Sequence, residues 1–527
     1  MTQQAFDAKA EGKLATGKLT KQPLPYQDDP LALYESLTQD AHHTLLLESA
    51  EIDSKENLKS IIMTHAALKI AAQGYRLEFT ALDDNGRVLL PAIAGFFNCE
   101  LHETNHLAVT LTRDTGLLDE DARLKSTSPL DGLRALLKHI HMGGKVAFED
   151  LFLGGVLAYD LIDTVEPLPK ARDGANTCPD YLFYLADTLV LVDHKAKQAE
   201  LVLSAFSTDG QISPFIEDEL KRRAKVIEAI ANRPRPVKAL KPVNVEASVS
   251  ISDEDFKDAV NALKEHIIAG DIFQVVPSRS FSLPCPNTLG AYRALRKTNP
   301  SPYMFYFRSS DFTLFGASPE SALKYDAGSN QVEVYPIAGT RKRGKDASGN
   351  IDHDLDGRIE LELRLDKKEL SEHLMLVDLA RNDIARISQS GTRKVAELLK
   401  VDRYSHVMHL VSRVTGQLRQ DLDALHAYQA CMNMGTLTGA PKVRASQLIR
   451  ETEMTRRGSY GGAVGYLSAT GDMDTCIVIR SAFVKDGVAH IQAGAGVVYD
   501  SDPQAEADET RQKAQAVISA IKLGGGL

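Results

Sequence analysis

Two pairs of glutamates with the same internal spacing are the residues of this chain best suited to chemistry. Glu369 and Glu372 stand three apart in KELSEHLMLVDLARNDIARI, and Glu506 and Glu509 repeat the pattern in EADETRQKA. Residues three apart share one face of a helix, so each pair presents two carboxylates side by side. Two such helices brought together make an all-oxygen site suited to Mg2+, which takes a few carboxylates and keeps waters that a substrate can replace. Acids in a first helical turn also suit the helix dipole, so spacing alone leaves a surface role open. Four glycine-rich runs stand beside Arg, Lys or Tyr: YPIAGTRKRG (Tyr335 to Gly344), GTLTGAPK (Gly435 to Lys442), RRGSYGGAVGY (Arg456 to Tyr466) and AGAGVV (Ala493 to Val498). Small residues let backbone N–H groups close on a carboxylate, although each run read singly is more readily a tight turn. Arg480, expected in a strand, has the planar fork to pair with a second carboxylate. His409 and Glu320 are the acid–base candidates. A neutral imidazole moves protons near pH 7, and burial tunes a glutamate to act as an acid.

These side chains need elements to hold them. The first acidic pair falls on a predicted helix whose apolar stripe is Leu370, Leu374, Val377 and Ile384. The second follows a cap at Asp502 and a first-turn Pro503, with Ala514, Val517 and Ile521 as the buried side. A third helix opens at Ser252, repeats Phe256, Val260, Leu263 and Ile267 at helical spacing, and ends at Gly270. Tyr303 to Phe307, Val332 to Ile337 and Cys476 to Phe483 read as strands, as do Thr188 to Val192 and Ala199 to Ala205. Lys55 to Gln73 and Pro129 to His139 read as helices. Strands and helices do not alternate regularly, so the expected class is α+β, with largely antiparallel sheets packed with helices. Pro234, Pro236 and Pro242 interrupt a polar, basic stretch after a charged helical run (Glu217 to Ala231). Proline there stops the helix, which places a boundary between a region 1–240 and a region 250–527.

At 527 residues the chain exceeds one ordinary core, and 43% hydrophobic with 25% charged residues is ordinary for a globular protein. A net charge of -10 speaks against a nucleic-acid or anionic-membrane partner, while leaving room for a small basic pocket. The N-terminus lacks an apolar core of signal-peptide type, and no run approaches ~18 apolar residues. The five cysteines form no C-x-x-C pair, so neither zinc nor a disulfide framework is indicated, and a reduced, cytoplasmic protein is expected. No Walker A or G-x-G-x-x-G pattern supports a nucleotide.

Taken together, these segments resemble the chorismate-utilising enzyme family. GASPES (Gly316 to Ser321), PIAGTR (Pro336 to Arg341), ELSEHLMLVDLARND (Glu369 to Asp383), HVMHLVS (His406 to Ser412), GAPK (Gly439 to Lys442), YGGAVGY (Tyr460 to Tyr466), DTCIVIR (Asp474 to Arg480) and AGAGVV followed by EADETRQKA occur in family order. The resemblance implies Glu372 and Glu509 as direct Mg2+ carboxylates, with Glu369 and Glu506 supporting them, and the ion gripping the ring carboxylate of chorismate. It implies that Tyr460, Arg480 and the backbone of Gly494, Ala495 and Gly496 hold the other carboxylate. Gly339, Thr340 and Thr436 would line the ring. Glu320 would help the carbon 4 hydroxyl leave as ammonia adds at carbon 2, and His409 would assist the later proton removal and pyruvate elimination.

Two positions point to a branch. Isochorismate and salicylate synthases carry a lysine base where this chain has Gln274, and aminodeoxychorismate synthases carry a lysine where it has Ala338. Both differences favour the anthranilate synthase branch, in which ammonia attacks carbon 2. The other two enzyme types remain the alternatives, and a non-catalytic amino-acid sensor is the contrasting class. LLLESAEIDS (Leu45 to Ser54) resembles the feedback tryptophan site of that branch, with Ser49 as a ligand and Pro302, Tyr303 and Met304 closing the pocket. The chain has no Trp, which suits a protein needed when tryptophan is scarce. None of the cysteines sits on a glycine-flanked nucleophile turn. A separate glutamine amidotransferase subunit is therefore the implied source of ammonia, in a heterotetramer of two large and two small subunits.

Overall fold

Mostly antiparallel pairing joins strands from both sides of the proposed boundary. The protein, seen in a computed structural model, is described at residues 14–49, 59–114, 116–233, 239–346, 348–404 and 407–526. Its class is α+β, as expected. The strand Tyr303–Arg308 pairs on one side with Thr313–Ser318 and on the other with Thr44–Glu48, from the opposite end of the sequence. Thr44–Glu48 continues to Lys59–Gln73 and then Tyr181–Asp193. From there Phe152–Leu157 leads back to Ala463–Ser468, so chain from both regions alternates along the sheet. Met473–Ile477, Ser321–Asp326, Gln331–Val334 and Val407–Gln417 follow in order, and the last also carries Ile337–Lys342 and Lys394–Arg403. Leu45, Met63 and Tyr184 share one apolar cluster with Phe305, Phe307, Phe483 and Val464. Burial of these groups ties the two regions into one core.

Helices cover the sheet. Asp253–Ile268 is capped by Ser252, whose hydroxyl accepts the Asp255 N–H at 3.1 Å, and Phe256, Val260 and Leu263 are its buried stripe. Asp131–His139 is helical as expected. Lys59–Gln73 is not. The described part of the stretch expected as a helix is a 15-residue strand paired along both edges. Its run KSIIMTHAALKIAAQ buries both faces, so helical and strand periodicities look alike, and the β-branched Ile61, Ile62, Thr64 and Ile70 fit the pleat. The helix Pro214–Asn232 precedes the proline-rich stretch, of which residues 234–238, with Pro234 and Pro236, lie outside the described residues. Among the described residues no helix is long and apolar enough to cross a membrane.

Candidate active site

The helix Lys367–Ile387 starts where Asp366 accepts the N–H groups of Lys368 and Glu369. His373, Leu376, Val377, Ala380 and Ile384 are buried, but Leu374 is exposed, so the apolar stripe is rotated from the expected one. Glu369 and Glu372 turn toward Ile337–Lys342 and the 494–496 turn. Gly339 has φ +68, and a side chain there would meet Glu369 Oε2 at 3.1 Å. One at Gly496 would sit 3.3 Å from Glu372 Oε1, which accepts a hydrogen bond from Gln274 Nε2 at 2.9 Å. Glycine at both positions keeps the carboxylates accessible.

The second pair stands on Pro503–Gly524, capped by Asp502 through the Ala505 N–H at 2.8 Å. Glu506 is buried, with Oε2 lacking any hydrogen-bond partner, while Glu509 pairs with Lys513 Nζ at 2.7 Å. Burial raises the Glu372 pKa and the charges of Glu369 and Glu509 raise it further, against Gln274 and Lys513. Burial likewise raises that of Glu506, and Glu509 adds to it. The four carboxylates therefore form one electrostatic cluster. Among the described residues no three His, Cys, Asp or Glu side chains converge into a ready metal cage. Instead Arg341 holds Glu369 at 2.8 Å and Lys513 holds Glu509. An orphaned buried oxygen amid mutually repelling carboxylates is the environment that a hard divalent cation relieves, so the residues fit Mg2+.

A second group adjoins the first. Glu320 is buried beside Thr436, whose hydroxyl donates to Oε1 at 3.1 Å. Burial pushes its pKa up to about 8, despite Thr436, Lys513 and Arg480. Buried His409 is pushed down to about 3 by burial and then by the Arg480 charge. Its Nδ1 meets the Thr340 hydroxyl at 3.0 Å, and its Nε2 is buried with no partner among the described residues. Arg480 lies not in a strand but at a bend between Met473–Ile477 and Ser481–Lys485, with φ 48, a left-handed conformation rare outside glycine. Among the described residues its guanidinium makes no ion pair. It lines a small cavity with His409, Tyr404, Pro302 and Pro319. Tyr460 is buried, and its hydroxyl lies 3.0 Å from where a side chain on Gly494 would begin. Of the three backbone N–H groups expected to grip a carboxylate, that of Ala495 is already given to the Pro277 carbonyl at 3.2 Å.

Ser49, Tyr303 and Met304 line a different, larger cavity of ≈ 1180 Å³ with Glu48, Tyr466 and Asp474. Pro302 faces the small cavity instead, so three consecutive residues border two pockets. Residues 50–54 of the LLLESAEIDS segment and His406 lie outside the described residues. Sequence reasoning passed over Lys513, which bonds Glu509 and donates to the Gly494 carbonyl at 3.1 Å. Its spacing of four from Glu509 was the available signal.

Paired acidic helices facing a glycine turn, and a group in which half-buried Arg480 stands with buried Glu320 and His409, define the class. The family model described as chorismate binding enzyme matches residues 101–519, and the chain belongs to that family. The match begins well upstream of the first quoted motif, Gly316 to Ser321. Anthranilate synthase component 1 of Vibrio cholerae serotype O1 is 57% identical over 97% of this chain and 97% of its own. That of Escherichia coli K12 is 55% identical over 94% and 95% respectively. Anthranilate synthase component I from Streptococcus pneumoniae TIGR4 superposes with a TM-score of 0.70 at 30% identity, covering 89% of this chain and 94% of that one. The menaquinone-specific isochorismate synthase from Escherichia coli, 18% identical with a TM-score of 0.64 over 98% of both chains, shares the fold. Within the family, this is an enzyme of the anthranilate synthase component 1 type.

Proposed function

We propose that the chain converts chorismate and ammonia into anthranilate, pyruvate and water, with Mg2+ as cofactor. The observation that carries this reading is the uncommitted Arg480 guanidinium, set in one cavity with a neutral His409 and next to a Glu320 that stays protonated at neutral pH. A dianionic substrate would give Arg480 and Tyr460 one carboxylate and bring the other to Glu369, Glu372, Glu506 and Glu509, the residues that would hold Mg2+. When bound, that ion supplies Lewis-acid stabilisation of charge developing in the ring.

The residues of this chain do the remaining work. Glu320 donates its proton to the carbon 4 hydroxyl, which leaves as water while ammonia forms the new bond at carbon 2 and the ring double bonds shift. His409 then takes the carbon 2 proton, the carbon 3–oxygen bond breaks, and the enolpyruvyl group leaves as pyruvate from a ring now aromatic. The Arg480 charge weakens His409 as a base, so a substrate carboxylate on Arg480 strengthens it when it is needed. Thr340 and Gly339 border the ring, as does Thr436.

Ammonia is proposed to come from a separate glutaminase, in a heterotetramer of two large and two small subunits. Burial pushes the Cys285 thiol up to about 12 and raises those of Cys178 and Cys431, the opposite of a thiolate nucleophile. L-tryptophan is proposed to bind the larger cavity through Ser49, Tyr303 and Met304 as feedback inhibitor. The region 1–240 would carry most of that pocket and 250–527 the catalytic groups. The test is to give the full-length chain chorismate, ammonium and Mg2+ and follow anthranilate fluorescence together with pyruvate. Equal amounts of both are expected, and glutamine should not replace ammonium until the partner is added. Chorismate consumed without anthranilate would overturn the reading.

A further inference from the structure

We propose that the buried Arg457–Glu453 pair is the positioning device of the carboxylate-binding side of the site, acting through three walls at once. This rests on the proposed chorismate reaction. Arg457 and Glu453 side chains are only 2% and 6% exposed, and the fork is doubly engaged: Nη2 to Oε1 at 2.6 Å and Nε to Oε2 at 3.0 Å. Neither residue reaches the cavity that holds His409 and Arg480.

The remaining donors of Arg457 go to the backbone. Nη1 donates to the Leu437 carbonyl at 2.7 Å, one residue beyond the Thr436 that bonds Glu320. Nη2 donates to the Val276 carbonyl at 2.6 Å. Glu453 Oε1 accepts the Ser278 N–H at 2.9 Å and its hydroxyl at 2.7 Å, and Ser278 stands opposite Gly494 in the strand register. The pair thus clamps segment 276–278, on which the 494–496 turn rests, to the turn that carries Thr436. The third wall is aromatic. The guanidinium lies 4.8 Å from the Tyr159 ring centre and 5.4 Å from that of Tyr460, so the ring bearing the ligand-facing hydroxyl is stacked on it. Tyr159 comes from the N-terminal region and fixes the same loop by donating its N–H to the Gly458 carbonyl at 2.8 Å.

Lysine keeps the charge of Arg457 but not the fork, so Arg457→Lys removes the geometry and leaves the ion pair possible. In the full-length chain with ammonium and Mg2+, the chorismate KM should rise about tenfold while kcat changes less than about threefold, the pattern of lost binding contacts. Combined with Tyr460→Phe, the KM penalty of Arg457→Lys should shrink to about threefold, because the hydroxyl it positions is gone. Melting temperatures should instead add, since a structural defect is indifferent to that hydroxyl. Should Arg457→Lys not fold, Glu453→Gln, which loosens the anchor and keeps Arg457, is read in the same way. An unchanged KM, or the same penalty in both backgrounds, would overturn the inference. A parent chain that makes no anthranilate would defeat the functional reading instead.

Discussion

The two cavities of this protein are built on opposite terms. In the larger one several acidic and phenolic groups are paired with one another or with arginine. Glu48 accepts the Tyr292 hydroxyl at 2.6 Å and pairs with Arg296 at 3.1 Å, and Tyr303 donates to Asp474 at 3.2 Å. Among the described residues, in the smaller one Arg480 has no ion pair and His409 Nε2 no partner, and the neighbouring acidic cluster leaves Glu506 Oε2 alone. A satisfied wall recognises a ligand by shape and exchange of hydrogen bonds. An unsatisfied one holds polar groups in readiness for a ligand that pairs them.

The largest effect should come from the acidic cluster. Glu372→Gln or Glu509→Gln should lower ammonia-dependent turnover by on the order of a thousandfold, with thermal melting little changed, because an amide removes one charge from a cation site. Turnover near that of the parent in saturating Mg2+ would erase the contrast between the cavities.

Next in size is Glu320. Its replacement by Gln should cost about a hundredfold or more in kcat, the range of a lost general acid. The parent carries a sharper signature. Burial holds the acid form up to about pH 8, so kcat should be sustained below that value and fall as pH rises through it. Glu320→Gln should lack that limb. Stopped-flow or steady-state fluorescence across pH 6 to 9.5, roughly the span that brackets this titration, decides the matter.

The smallest effect on catalysis is expected in the larger cavity. Ser49→Phe should leave turnover within about twofold of the parent while abolishing inhibition by tryptophan. Coupling is reciprocal, so in the parent bound chorismate should weaken tryptophan binding by the factor that tryptophan weakens chorismate binding. Calorimetry that finds tryptophan affinity unchanged in Ser49→Phe would move the inhibitor elsewhere.

The acidic helices were legible from periodicity, with Val377, Ile384, Val517 and Ile521 marking the inward face, and the second also from its cap at Asp502; the Asp366 cap of the first came only with the structure. What sequence hides is tertiary. Lys59–Gln73 is buried on both faces, so its pattern names neither strand nor helix, and only its partners Thr44–Glu48 and Tyr181–Asp193 decide. Leu374 matched the stripe by residue type but faces away from the core, because the Ile337–Lys342 and Val407–Gln417 strands sit against a neighbouring face of the helix. Lys513 does not stand out in the sequence, where it is one of several lysines four residues from a glutamate. Its importance comes from the Gly494 carbonyl, nineteen residues earlier and across a turn. The proposed split near residue 240 followed from proline and charge, whereas the sheet passes from Thr44–Glu48 directly to Tyr303–Arg308.

Arg480 also bears on how this protein can be improved. Its backbone occupies a left-handed conformation that disfavours an ordinary side chain by about 1 kcal/mol, and its half-buried guanidinium is partly desolvated with no ion pair among the described residues. Asparagine or glycine would relieve both burdens. A library selected only for survival on heating should therefore enrich replacements at this position, and every one of them would discard the group proposed to grip the substrate. Heat resistance and turnover pull this single residue in opposite directions, so a stabilised variant has to be screened for activity at every round.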